Sequence, residues 1–239
     1  MANKRLDQYK GRLTPAQITD GMNAAAENAN RLADAAELLL DKGHYPLAAS
    51  VSCLAIEESG KTSILRSLAV ARTDEEVVEC WRNYRSHTRK NSVWLLPELV
   101  AKGARRLVDL RSLFEDEADH PLVLDQVKQI GFYTDCLGRA HWSRPSEVLH
   151  EELASRLVQI ARLFAKAEPV AEREIQLWIR HIGPVWKGSM EAMEHALVQW
   201  YADMQKEGLR ARGKNAMEQF ILDGVGDQEE QDDLKETDA

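Results

Sequence analysis

An arginine and a histidine five positions apart form the part of the sequence best suited to chemistry. Between Trp81 and Pro97 there is no acidic residue, and Arg82, Asn83 and His87 lie in this basic stretch. Histidine titrates near neutral pH and can transfer a proton to or from a ribose hydroxyl. Arginine can hold a phosphate and stabilise charge in a transition state. These residue types predict cleavage of RNA through its 2′-hydroxyl, without a metal ion or other cofactor.

The spacing of Arg82 and His87 sets a geometric condition on this site. On a continuous ideal helix, five residues place the two side chains about 140° apart. One phosphate is then reached only if the helix ends or kinks, the side chains reach around it, or a second protomer completes the site. An Arg-x4-His match is short, so a solvated basic helix face is the alternative. The nearby cations Arg85, Arg89 and Lys90 are predicted to contact RNA.

The helix before this stretch carries charges on its predicted inner face. Seven residues follow one another at alternating spacings of four and three, the pattern of a packed helix: Leu47, Val51, Leu54, Glu58, Lys61, Leu65 and Leu68. Because a buried charge is costly unless it is paired, Glu58 and Lys61 require partners inside the bundle. Alternatively, the helix rotates, and they form a surface ion pair, with Glu57 also reaching Lys61. Gly60 indicates a close approach of another backbone.

Capping signals divide most of the chain into helices. Thr14 and Pro15 open a helix to about residue 42, which Gly43 ends. A second helix runs from about 46 to 71, and a third begins at a capping box on Thr73 and extends to Lys90. Further helices are predicted over about 97–114, 122–137, 146–181 with a kink at Pro169, 189–206, and a short one ending near 222. Strand signals are nearly absent, so the predicted fold is all-α.

Composition places few other constraints on function. The chain has 239 residues, 44% of them apolar, and no apolar run of the roughly 20 residues that a membrane span needs. With no signal-peptide core near Met1, a cytoplasmic protein is expected. The three cysteines form no CxxC pair, and Cys53 and Cys80 are predicted to pack in the core. Most of the net charge of -8 comes from residues 223–239, which are predicted to be a disordered acidic tail.

Four segments in order resemble the AbiV family of bacterial abortive-infection proteins. They are Gly43–Ala49, Ala55–Lys61, Arg85–Lys90 and Lys128–Asp135, within a resemblance that covers roughly residues 18 to 145. AbiV-like proteins belong to the HEPN superfamily of helical domains, whose active members are metal-independent ribonucleases. Their motif is an arginine, a polar residue, and a histidine four to six positions past the arginine. The stretch from Arg82 to His87 is similar to that motif.

The resemblance implies a site, an assembly and a role. Arg82 and His87 would be catalytic, Asn83 would orient them, and Glu57, Glu58 and Lys61 would support them from the adjacent helix. The site would form in a homodimer, and the protein would be a toxin that blocks translation during phage infection, under a phage-encoded trigger.

The resemblance also suggests how the chain is divided. A HEPN domain would occupy residues 1–145, a helical extension 146–222, and the acidic tail 223–239. Many HEPN relatives are inactive binding modules. The alternative function is therefore a non-catalytic protein that sequesters a phage or translation component.

Overall fold

The computed structural model of the chain describes residues 7–90, 95, 99, 120–166 and 168–224. Within these ranges there are nine α-helices: α1 Pro15–Asp41, α2 Tyr45–Ala69, α3 Asp74–Arg85, α4 His120–Phe132, α5 Pro145–Val148, α6 Glu151–Ala165, α7 Glu172–Ile182, α8 Met190–Lys206 and α9 Ala216–Leu222. Two short antiparallel strands, β1 Cys136–Leu137 and β2 His141–Trp142, form a hairpin, and 3-10 turns lie at Thr88–Lys90 and Gly183–Val185. The all-α prediction is confirmed.

Helix starts follow the local capping signals. The Thr14 hydroxyl accepts a hydrogen bond from the Gln17 backbone N–H, and the Gln17 side chain accepts one from the Thr14 N–H. Thr73 caps α3 by accepting from the backbone N–H of Glu76. The Glu76 carboxylate accepts from the Arg72 N–H rather than from that of Thr73, so only half of the predicted capping box forms. Such caps satisfy backbone donors that the first turn leaves unpaired.

The largest core cluster lies among α1, α2 and α6. The α1 alanines at intervals of about four residues, including Ala29, Ala33 and Ala36, are fully buried. They pack with small residues of α2, including Ala49 and Cys53, so the two helices can approach closely. Leucine, valine and alanine side chains of α6 complete this cluster. Since α6 begins at residue 151, this core includes residues beyond 145; the predicted domain division remains a prediction.

A buried carboxylate ties the last helices to α2. Glu174 of α7 is 1% exposed, and its two oxygens accept from Arg66 at 2.8 Å and from Arg210 at 3.0 Å. Trp178 and Trp200 meet edge to face beside it, with ring centroids 5.1 Å apart. Trp200 is buried at this contact, and Trp178 is partly buried.

Several predicted boundaries are wrong. The helix expected over 122–137 ends at Phe132, and the hairpin follows. The stretch expected as a helix from 146 to 181 with a kink at Pro169 is three helices, α5, α6 and α7, and Pro169 lies in the break between α6 and α7. The predicted helix over 97–114 lies almost wholly outside the described residues, and so does the acidic tail after Gly224. In the described part of the chain, no helix combines the length and apolar character needed to cross a membrane.

The three cysteines differ in burial and so make a simple test of the core; Cys80, predicted to lie there, is partly buried. Cys53 is fully buried, as predicted, whereas Cys136 on the hairpin is exposed. Burial, with the neighbouring charge of Glu57, raises the pKa of the Cys53 thiol to about 12. In the native protein at pH 8, a thiol reagent should therefore modify Cys136 quickly and leave Cys53 unmodified until unfolding. Peptide mass spectrometry of labelled protein measures both sites; equal labelling would contradict this packing.

Candidate functional site

The charge that α2 directs into the bundle is that of Glu57. Its residue exposure is 3%, whereas Glu58 and Lys61 are partly exposed. The predicted inner face is therefore only partly confirmed: Leu65 and Leu68 are buried, but Leu47 at its start is exposed. The reason is that α2 packs against α1, α4 and α6, so small residues on several of its faces are buried and the leucine spacing does not define one inner side.

The backbone leaves the helical path between Arg82 and His87. α3 ends at Arg85, and Ser86 is extended, with φ −79° and ψ 132°. The 3-10 turn Thr88–Lys90 follows. The prediction of a helix through Lys90 is wrong, and the 140° separation of an ideal helix does not apply. His87 lies in the bend instead, where it reaches α2.

Glu57 is the centre of a buried ionic cluster. Its Oε2 lies 2.8 Å from His87 Nδ1 and 3.5 Å from Lys90 Nζ. Its Oε1 lies 2.5 Å from Lys128 Nζ, which also lies 2.7 Å from Asp125 Oδ1. Lys90 and Lys128 are buried, whereas the His87 side chain is 60% exposed. The cluster therefore places the His87 imidazole at the surface. The ring contacts the Glu57 carboxylate, which is itself paired with two lysines.

The two buried lysines differ in their electrostatics. Burial lowers the pKa of Lys90, and the charge of Glu57 offsets this only in part. Burial also acts to lower the pKa of Lys128, but its hydrogen bonds to Asp125 and Glu57 outweigh burial, and this pKa is raised. Lys128 is therefore the more firmly charged partner of the Glu57 carboxylate.

Glu58 and Lys61 pair with each other at the edge of the site. Their side chains form an ion pair across one helical turn and remain 17% and 18% exposed. The Lys61 ammonium lies 5.1 Å from the ring centroid of Tyr84, within cation–π range. This arrangement matches the alternative prediction that Glu58 and Lys61 form an ion pair near the surface. The predicted contact between Glu57 and Lys61 does not form.

The remaining predicted site residues are not drawn into the cluster. Arg82 is exposed, and within the described residues its guanidinium makes no hydrogen bond or ion pair. Asn83 lines a small cleft with Trp186 and Lys187. Arg85 donates to the Tyr9 carbonyl and lies over the Trp81 ring, 5.0 Å from its centroid. Neither Arg82 nor Asn83 hydrogen-bonds His87 within one chain.

The predicted RNA contacts have different surroundings. Arg89 is exposed. Arg85 is partly buried, and its guanidinium is occupied by the N-terminal segment. Lys90 is buried, and its ammonium faces Glu57 instead of solvent. Of the three, only Arg89 has the exposure that a phosphate contact needs.

Sequence reasoning missed Asp125 and Lys128 as members of the site. Two signals were available: their i,i+3 spacing on a helix, and the position of Lys128 at the start of a family-like segment.

Three side chains of the site could together hold a metal ion. Glu57, His87 and Asp125 offer ligand atoms within 4.8 Å of one another, and divalent cations bind ligands of these types. The Lys128 ammonium already contacts two of these three groups. The prediction of a metal-free site remains a prediction.

Gly60 allows the turn after His87 to pack on α2. A Cβ at position 60 would lie 2.0 Å from the Lys90 carbonyl oxygen, and the obstructing atom is backbone. Gly60→Ala should therefore displace the turn and lower the free energy of unfolding by about 1–3 kcal/mol, as overpacking does. Urea denaturation measures this. Gly21→Ala in α1 is the matched control, because a Cβ there meets the flexible end of the Leu65 side chain at 3.3 Å and no backbone of another segment; an equal loss in both variants would contradict the close approach.

Comparison with known proteins identifies the family. A family model described as AbiV, within the HEPN group, matches residues 17–166, which is more than half of the chain. The chain belongs to the AbiV family. The match includes α1 to α3, with the turn that carries His87, and continues through α6. No curated protein and no solved structure matches the chain. As an AbiV protein it is an abortive-infection protein of phage defence.

Proposed function

We propose that this AbiV protein is a metal-independent endoribonuclease that blocks translation during phage infection. It would act in the cytoplasm as a homodimeric toxin, and its substrate would be RNA. The observation that carries the proposal is the exposed imidazole of His87, whose Nδ1 lies 2.8 Å from the buried carboxylate of Glu57. A ring held in this way at the surface is suited to proton transfer with a bound polymer.

Glu57 would fix the chemistry of the ring. If its Oε2 accepts a hydrogen bond from Nδ1–H, the lone pair of the neutral imidazole lies on Nε2. Nε2 would then take the proton of a ribose 2′-hydroxyl as the 2′-oxygen attacks the adjacent phosphorus. The 5′-oxygen departs and takes a proton from an imidazolium, which the second copy of the chain can supply. The products are a 2′,3′-cyclic phosphate and a free 5′-hydroxyl.

Arg82 would supply the positive charge for this reaction. Its exposed guanidinium, without an ion-pair partner in the described residues, can form a bidentate contact with a phosphate. Charge on the non-bridging oxygens rises as the 2′-oxygen attacks, so the contact stabilises the transition state more than the substrate. Arg89 on the next turn would extend the phosphate-binding surface. Asn83, Glu58 and Lys61 would have supporting roles.

The test uses purified protein, EDTA, and three oligonucleotides of one sequence. RNA should be cleaved in EDTA and yield 2′,3′-cyclic phosphate ends, whereas DNA and 2′-O-methyl RNA should remain intact because they lack the attacking hydroxyl. Cleavage of the DNA would exclude this mechanism. If the protein binds RNA or a translation component without cleaving any of the three, the sequestering function is favoured instead.

A further inference from the structure

Lys128 contacts two carboxylates in the buried ionic cluster around Glu57. Its ammonium lies 2.5 Å from Glu57 Oε1 and 2.7 Å from Asp125 Oδ1, and its side chain is 5% exposed. The contact with Glu57 joins α4 to α2 across 71 positions of sequence. A lysine that is buried to this extent requires charged partners, and both of its partners are carboxylates.

The position of this ammonium resembles that of a bound cation. Glu57, His87 and Asp125 present ligand atoms of the kind that hold a metal, within 4.8 Å of one another. Lys128 neutralises the two carboxylates of this set without engaging the imidazole. Among the residues that the structure describes, the His87 ring contacts the second oxygen of Glu57.

We propose that Lys128 is a positioning residue, which acts on His87 through Glu57. The ammonium holds the buried Glu57 carboxylate by its Oε1, so that Oε2 accepts from His87 Nδ1–H and Nε2 remains free to take a proton. The consequence for catalysis rests on the proposed ribonuclease function, but the effect on the ring does not.

Lys90 does not duplicate this role. Its ammonium lies 3.5 Å from Glu57 Oε2, the same oxygen that contacts His87, and burial disfavours its charged form. Asp125 has a smaller part in this arrangement than Lys128. Its side chain is 24% exposed, and it contacts the Lys128 ammonium rather than the Glu57 carboxylate. Lys128 is therefore the cation that chiefly holds the Glu57 carboxylate in place.

Removing the Lys128 charge should reverse the hydrogen bond at His87. In Lys128→Met, the carboxylates of Glu57 and Asp125 would lie close together without the ammonium that contacts both. A buried carboxyl group that has lost its cation favours the protonated form. A protonated Glu57 donates to Nδ1 instead of accepting from it. The neutral imidazole would then carry its proton on Nε2 and lose the free lone pair that faces RNA.

Nitrogen-15 NMR of the imidazole distinguishes the two tautomers directly. The neutral His87 ring should be Nδ1–H in the wild type, shift toward Nε2–H in Lys128→Met, and remain Nδ1–H in Asp125→Asn, the matched control. A wild-type ring in the Nε2–H form overturns the proposal even if Lys128→Met does not fold. An unchanged tautomer in folded Lys128→Met overturns it as well.

The NMR result does not depend on enzymatic activity. If the tautomer responds as expected but the wild type cleaves no RNA, the ribonuclease proposal fails and the positioning role of Lys128 stands. If RNA is cleaved, Lys128→Met should reduce the rate at least about tenfold, as loss of a supporting partner of a reactive group does. Cleavage at the wild-type rate with an unchanged ring would leave the ribonuclease intact and remove Lys128 from its mechanism.

Discussion

His87→Ala is expected to reduce RNA cleavage by at least about 100-fold, the lower end of what general acid–base groups contribute. The imidazole is the exposed member of the Glu57 cluster, so its removal should leave the fold intact: its side chain is 60% exposed, and Glu57 keeps both lysines. Initial rates in EDTA, measured beside thermal unfolding of the same preparations, separate lost chemistry from lost structure. Arg82→Ala should show a comparable loss, because the phosphate contact is removed.

His141→Ala is the matched control for this result. His141 is an exposed histidine on β2, away from the contacts of Glu57, and its replacement should leave the cleavage rate unchanged. Equal rates for His87→Ala and the wild type would exclude His87 as a catalytic residue and point to a contaminating nuclease. Phage defence retained by a folded His87→Ala variant would favour the sequestering function.

Glu57→Ala is expected to lower the free energy of unfolding by about 3–5 kcal/mol, as does breaking a buried ion pair on one side. The carboxylate is the common partner of Lys90 and Lys128, and both ammoniums are buried. Its removal leaves Lys128 with Asp125 alone and Lys90 without this partner. Equilibrium denaturation in urea measures the change, with the cleavage assay as a second readout.

The neighbouring glutamate is a close control for this prediction. Glu58 has the same side chain one position later, but it is 17% exposed, and its ion pair within the described ranges is with Lys61 one turn away. Since partly exposed pairs contribute little, Glu58→Ala should cost about 1 kcal/mol or less. If Glu58→Ala is as destabilising as Glu57→Ala, then Glu57 is not the carboxylate on which the packing depends.

The sequence by itself determined the helical architecture and the region of the site. Thr14 and Ser189 are capping residues whose effect is local: each side chain bonds a backbone N–H within three residues, so no distant contact is required. The family segments predicted a candidate site between Glu57 and Lys90, but the sequence did not indicate that Asp125 and Lys128 join its ionic cluster.

Only the tertiary structure decided which charges meet. The leucine spacing indicated that Glu58 faces the interior. Because α2 packs on several sides, the contacts with α4 and with the His87 turn bury Glu57 instead. α3 ends at Arg85, and the turn after it packs the Lys90 backbone against Gly60, a contact between distant segments. Lys128 reaches Glu57 from 71 residues away. The free energy of a buried ionic cluster depends on distances between helices, and local sequence patterns do not specify those distances.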